Sequence, residues 1–141
     1  VNITIELPKL PEIEGITKAL SRTALLGVQI IKERTEKGIG YMGKFAPYVP
    51  SYAKRKAEGW PAGKSTRAFS GDPSGIVNLM VRGNMLGSMI SKADGNFASI
   101  YFSRREEAAK AAWNNRKRQF FGFNQGEAKR LANLFRKELM K

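Results

Sequence analysis

Ile3-Thr4-Ile5-Glu6-Leu7 alternates apolar and polar residues with the two-residue period of a strand, and Pro8 and Pro11 close it. From Ile13 the period changes. Ile13, Ile16, Leu20, Ala24, Gly27 and Ile31 recur three and four residues apart, with Ala19, Leu26 and Ile30 widening the stripe. This predicts a long amphipathic helix that buries one face in a core and ends near Lys37-Gly38, where glycine takes a left-handed C-terminal conformation. Gly38 to Gly75 has no sustained period. Glycine, proline, serine and aromatics dominate it, and only Ser51 to Glu58 reads as briefly helical. An irregular stretch of this length is expected to be an arm or loop that makes contacts, rather than a free linker.

Further on, Ile76 to Val81 is apolar and β-capable. Ser88 to Ala93 and Phe97 to Ser103 flank Asp94-Gly95-Asn96, which is hairpin chemistry. Ser103-Arg-Arg-Glu106 has the spacing of a capping box and opens a helix to about Asn115, which presents Trp113 and a face of alanines, Ala108, Ala109, Ala111 and Ala112, that permits close approach. Asn124 and Glu127 form a second box, and behind it Ala128, Leu131, Phe135 and Leu139 trace another helical stripe. The expected fold is α+β in a single domain over residues 1–141. A long N-terminal helix and C-terminal helices pack on a small antiparallel sheet, and 38–75 is the irregular assembly arm or loop.

The connector between the last two helices is RKRQFFGF, Arg116 to Phe123. Aromatics beside a basic run suit either a groove that stacks bases or a buried anchor approached through a wet segment. Phe120 and Phe121 stand just ahead of a helix cap, where apolar residues staple back onto the fold, so anchoring is the expected role of both.

Charge sharpens the question. The chain of 141 residues has a formal net charge of +13. Between 44 and 67, Lys44, Lys54, Arg55, Lys56, Lys64 and Arg67 face Glu58 alone. Between 104 and 118, Arg104, Arg105, Lys110, Arg116, Lys117 and Arg118 face Glu106 and Glu107. Two basic blocks of this kind attract polyanions, either nucleic acid or an acidic protein surface, and equally serve as a solvated face. Lys54, Arg55, Lys56, Arg104, Arg105, Arg116, Lys117 and Arg118 are the candidate basic contact patch.

Catalytic chemistry is thinly represented. There is no cysteine and no histidine, which excludes disulfides, thiolate or imidazole metal sites, and the commonest general base near neutral pH. Gly38-Ile-Gly-Tyr-Met-Gly43 spells GxGxxG, but it follows a helix instead of a strand, so it lacks the dinucleotide-binding context. The acid pairs Glu12/Glu14, Glu33/Glu36 and Glu106/Glu107 form no acid–base or Mg²⁺ constellation. No catalytic, metal or cofactor site is expected, and the chain is not expected to be an enzyme. No apolar run approaches the ~20 residues of a membrane span, and the N-terminus lacks a signal-peptide pattern. Cytosolic assembly without a membrane partner is therefore expected.

Three segments in order carry a family resemblance. Gly43-Lys-Phe-Ala-Pro-Tyr48 continues to Tyr52, Leu79-Met-Val-Arg-Gly-Asn-Met-Leu-Gly-Ser-Met89 follows, and Arg118-Gln-Phe-Phe-Gly122 precedes the last helix. Together they resemble the neck, tail-completion and minor tail proteins of tailed bacteriophages, the virion-morphogenesis type. The chain departs from that pattern at Trp113-Asn114-Asn115-Arg116, where a His-Asn-Gly-like stretch is usual. The resemblance implies a structural, non-enzymatic subunit of the virion, assembled in the host cytoplasm into a sixfold ring, or alternatively a twelvefold one. Its implied neighbours are head-closure or connector proteins and tail-terminator or tail-tube proteins, with nonspecific contact to DNA in the channel. On this reading Phe45, Tyr48, Tyr52, Trp60, Phe69, Met85, Leu86, Phe120 and Phe121 are the candidate subunit or partner interface. The alternative is a basic nucleic-acid-binding protein.

Overall fold

A computed structural model of the chain describes residues 1–6, 15–81 and 83–141. Leu7, Pro8, Pro11, Glu12, Ile13, Glu14 and Arg82, which entered the sequence reading, lie outside the described residues.

The fold is α+β. β1 (Ile3–Glu6), β4 (Met89–Asp94) and β5 (Phe97–Phe102) form an antiparallel sheet in the order β1-β5-β4. Asp94 pairs with Phe97 across the two-residue loop Gly95-Asn96, and Gly95 takes φ 59°, so the DG signal closed the hairpin where the pattern placed it. Register puts Ile3, Ile5, Met89, Ala98, Ile100 and Phe102 on one face. There they meet α1 (Ile16–Glu36), whose Ile16, Leu20, Ala24, Val28 and Ile31 supply the facing stripe of the same core. α4 (Arg105–Lys117) adds Ala111 and α5 (Gln125–Leu139) adds Phe135 and Leu139 to this cluster, while Leu131 of α5 is itself buried. No described helix is long and apolar enough to cross a membrane.

Phe120 and Phe121 go to the centre. Phe120 is fully buried, and the rings of Phe102, Phe120 and Phe121 lie 5.1 to 6.4 Å apart in tilted and edge-on contacts. Phe123 lies over Gly27 of α1, where an added methyl would come within 2.9 Å of its ring. Glycine in the apolar stripe of α1 thus makes room for an aromatic from the connector.

Two expectations are corrected. Ile76–Val81 pairs with no strand among the described residues. Its N–H groups go to side chains instead: Ile76 to Ser74 Oγ, Leu79 to the Tyr48 hydroxyl and Met80 to Asn78 Oδ1. Leu79 also takes φ 57°, which breaks an extended ladder. The box at Ser103–Glu106 does not form. Ser103 Oγ and N–H both donate to the Ser88 carbonyl, extending the hairpin, and α4 begins without a side-chain cap. The box at Asn124 is present in full.

Residues 38–75 hold more order than the pattern suggested. β2 (Ile39–Gly40) and β3 (Gly43–Lys44) make a small ribbon, α2 spans Pro50–Glu58, and Trp60 bridges Phe69 with ring centroids 4.7 Å apart. α3 (Asn84–Gly87) is a single turn that feeds β4, with Met85 and Leu86 buried.

Phe120→Ala is expected to cost about 3–5 kcal/mol of folding stability, read from urea unfolding. A loss below ~1 kcal/mol would show that the connector is not the core anchor described here.

Candidate interaction groove

The connector is held from below by one buried cation. Arg34, in the last turn of α1, donates from its two terminal nitrogens to the carbonyls of Phe120 (3.1 Å) and Gly122. Its Nε lies 3.1 Å from Glu127 Oε2, an ion pair by distance but too bent to count as a hydrogen bond. Burial pushes the guanidinium pKa down, opposed by the Glu127 charge. Glu127 serves twice, since its other oxygen accepts from the Asn124 N–H at 3.1 Å in the capping box. Charge placement also agrees with both helix dipoles, a cation at the end of α1 and an acid at the start of α5.

Above the connector, Arg118 clamps residues 46–48. Its side chain donates to the carbonyls of Ala46 and Pro47, both at 3.1 Å, and stacks 4.8 Å from the Tyr48 ring centroid. Tyr41 N–H bonds the Gln119 carbonyl, and Gly40 passes so close that a methyl there would sit 2.2 Å from the same oxygen. Lys56 points inward. Its ammonium is 2.6 Å from Asn78 Oδ1 and 4.0 Å from Asp72 Oδ2, and its side chain is 4% exposed. Desolvation lowers the Lys56 pKa against the pull of Asp72, and burial likewise raises that of Tyr48.

These ties leave a groove of about 620 Å³ between two helices. Glu107, Lys110, Asn114 and Lys117 recur at three- and four-residue spacing along α4 and so share one face, with Trp113 beside them. Tyr48, Val49 and Tyr52, at the start of α2, make the other wall. Leu79, Met80 and Val81, Gly83 to Met85 and Arg118 also line it. Val49 is 65% and Trp113 57% exposed, an unusual setting for side chains of this size. Glu107 is 4% exposed. Its Oε1 accepts from Lys110 at 3.1 Å, and its buried Oε2 has no hydrogen-bond partner among the described residues.

The residues singled out from sequence divide sharply. Phe45, Met85, Leu86, Phe120 and Phe121 are buried in the core, and of these Met85 also reaches the lining of the groove. Their placement follows from the pull of apolar area out of water, which the candidate-interface reading assigned to a partner. Tyr48 and Tyr52 are half-buried and line the groove, whereas Trp60 and Phe69 face each other away from it. Of the basic patch, Lys56 is buried and ion-paired and Arg118 is tied to carbonyls, so neither is a free contact cation. Arg55 lies 5.0 Å from the Trp60 ring and Lys117 4.5 Å from the Trp113 ring. Lys54, Arg104, Arg105 and Arg116 are exposed. Among the described residues no group of three or more acidic side chains is placed to hold a metal ion. Val49, Leu79, Glu107 and Lys110 were missed from sequence, although the polar spacing 107, 110, 114, 117 was a readable signal for the α4 wall. No protein-family model, curated protein or solved structure matches the chain.

Arg34→Met leaves the two carbonyls without their donor and Glu127 without its paired cation, and is expected to cost about 3–5 kcal/mol. Thermal unfolding checks this, with Arg34→Lys regaining only part because it lacks the planar fork. Asp72 supplies a pH limb. Hydrogen bonds from Ser74 hold its carboxyl below the ordinary 3.8, with Lys56 and Asn78 adding to the shift. A depressed carboxyl contributes stability above its unfolded value and loses it as pH falls through the folded one. Asp72→Asn should therefore flatten the loss of stability below about pH 3.8, measured by urea midpoints at descending pH. An acid limb as steep as in the parent would contradict this role.

Proposed function

We propose that the chain is a structural virion subunit that forms a ring at the phage head–tail junction and completes the neck or tail, without catalysis. A ring at a junction has to meet copies of itself laterally and other proteins axially. The observation that carries the reading is that, among the described residues, two surfaces sharing no residue expose large apolar side chains. One is the groove between α2 and α4. The other is the outer face of the sheet, where Ile90 is paired with Tyr101, and Phe97 with Asp94 and Glu6. Ile90 is 38% and Phe97 39% exposed there.

Ring closure uses heterologous contacts, in which one patch meets a different patch on the next copy. The outer sheet face suits a lateral contact because exposed apolar side chains there are surrounded by mixed charge, with Lys92, Asp94 and Glu6 around them. The three ordered segments that resemble neck and tail-completion proteins support the same reading, and the net charge of +13 suits a subunit placed beside acidic neighbours or DNA.

Purified protein is expected to form closed rings visible by electron microscopy, and Ile90→Lys, at an exposed position, is expected to return it to monomers with an unchanged unfolding midpoint. A chain that stays monomeric at high concentration, together with joined and infectious virions when its gene is deleted, would sink the proposal. Tight, salt-sensitive binding to short DNA by that monomer would favour the nucleic-acid reading instead.

A further inference from the structure

We infer that the groove between α2 and α4 binds an extended acidic segment of a neighbouring protein, with an aliphatic side chain as its anchor. Apolar side chains line the groove, Leu79, Met80 and Val81 with Val49 at the rim, and 620 Å³ is room for a few residues of peptide. The lining is net positive: among the described residues Lys110, Lys117 and Arg118 stand against one acid, Glu107, which already pairs with Lys110. Lys110 and Lys117 lie on the exposed side of α4. Carboxylates on the incoming segment meet those two lysines, and the charge match also speeds encounter.

Glu107 adds a second requirement. Its buried Oε2 has no partner among the described residues, and an unpartnered carboxylate oxygen is costly to keep. A peptide N–H donates to it, whereas a phosphate would be repelled. Base stacking is disfavoured as well, because Lys117 already lies over the Trp113 ring and Arg118 and Lys56 over that of Tyr48. An aliphatic anchor against the apolar lining, carboxylates at the lysine rim and a backbone N–H at Glu107 together describe an acidic peptide rather than a nucleotide.

Only the origin of the segment rests on the ring proposal; the groove chemistry does not. The test is fluorescence anisotropy with a labelled octapeptide of alternating leucine and aspartate, beside a leucine–lysine control and a labelled oligothymidylate. The acidic peptide is expected to saturate. Lys117→Glu and Trp113→Ala are each expected to weaken it by about tenfold or more, while Arg105→Glu, on the same helix outside the groove, leaves it unchanged. Circular dichroism on each variant checks that the fold is kept, which the exposure of all three positions favours. Equal losses from Arg105→Glu and Lys117→Glu, equal binding of both peptides, or oligothymidylate binding that alone depends on Lys117 would each overturn the inference. So would absence of peptide binding, or self-association that Trp113→Ala abolishes without peptide affinity. Ile90→Lys separates the two proposals. Peptide bound by a chain that forms no rings removes only the ring, and rings from a chain that ignores the peptide remove only this inference.

Discussion

Arg34 is the constraint on which the rest of the structure depends. The connector after α4 has to turn sharply, bury two phenylalanines and deliver the chain to a new helix, and that leaves carbonyls at Phe120 and Gly122 facing inward. Buried carbonyls need donors, and one guanidinium from the last turn of α1 supplies both. The same group pairs with Glu127, which in turn closes the cap of α5. The end of α1 is thereby set in one arrangement with a segment 86 to 88 residues on, the connector with its buried phenylalanines and the adjoining cap of α5.

From that fixed connector the outer layer follows. Arg118 can clamp the carbonyls of Ala46 and Pro47 because its backbone is already placed by Phe120 and Phe121. Tyr48 is then positioned to accept the cation on its ring and to take the Leu79 N–H on its hydroxyl. Lys56, Asn78 and Asp72 hold the other end of the same layer. The groove is what remains between α2, so positioned, and α4. Its exposed Trp113 and Val49 are the outcome of two helices held apart by polar ties below them rather than collapsed together.

Most of the regular structure was legible. Period-3.6 stripes marked α1 and α5, alternation and Asp-Gly marked the β4–β5 hairpin, and the Asn124–Glu127 box marked a helix start, because each depends on residues a few positions apart. Failures occurred where a local group had a better distant partner. Ser103 spends its hydroxyl on the Ser88 carbonyl rather than on a cap, and Ile76–Val81 gives its N–H groups to Tyr48, Ser74 and Asn78 rather than to a strand. Lys56 and Arg118 look like surface cations in sequence, yet both are taken up internally. A basic run carries no mark that separates wet charges from structural ones.

The sequence by itself therefore determined α1, the β4–β5 hairpin, α5, the α+β class, the anchoring role of Phe120 and Phe121 and the lack of histidine and cysteine chemistry, all read from spacing and composition. Tertiary structure decided which cations are free, which aromatics are core, and that Glu107, Lys110, Trp113 and Lys117 share a groove wall opposite Tyr48 and Val49. The physical reason is range. Periodicity and capping act within a turn or two of chain, whereas desolvation and the pairing of buried polar groups act between segments that meet only once the chain has folded.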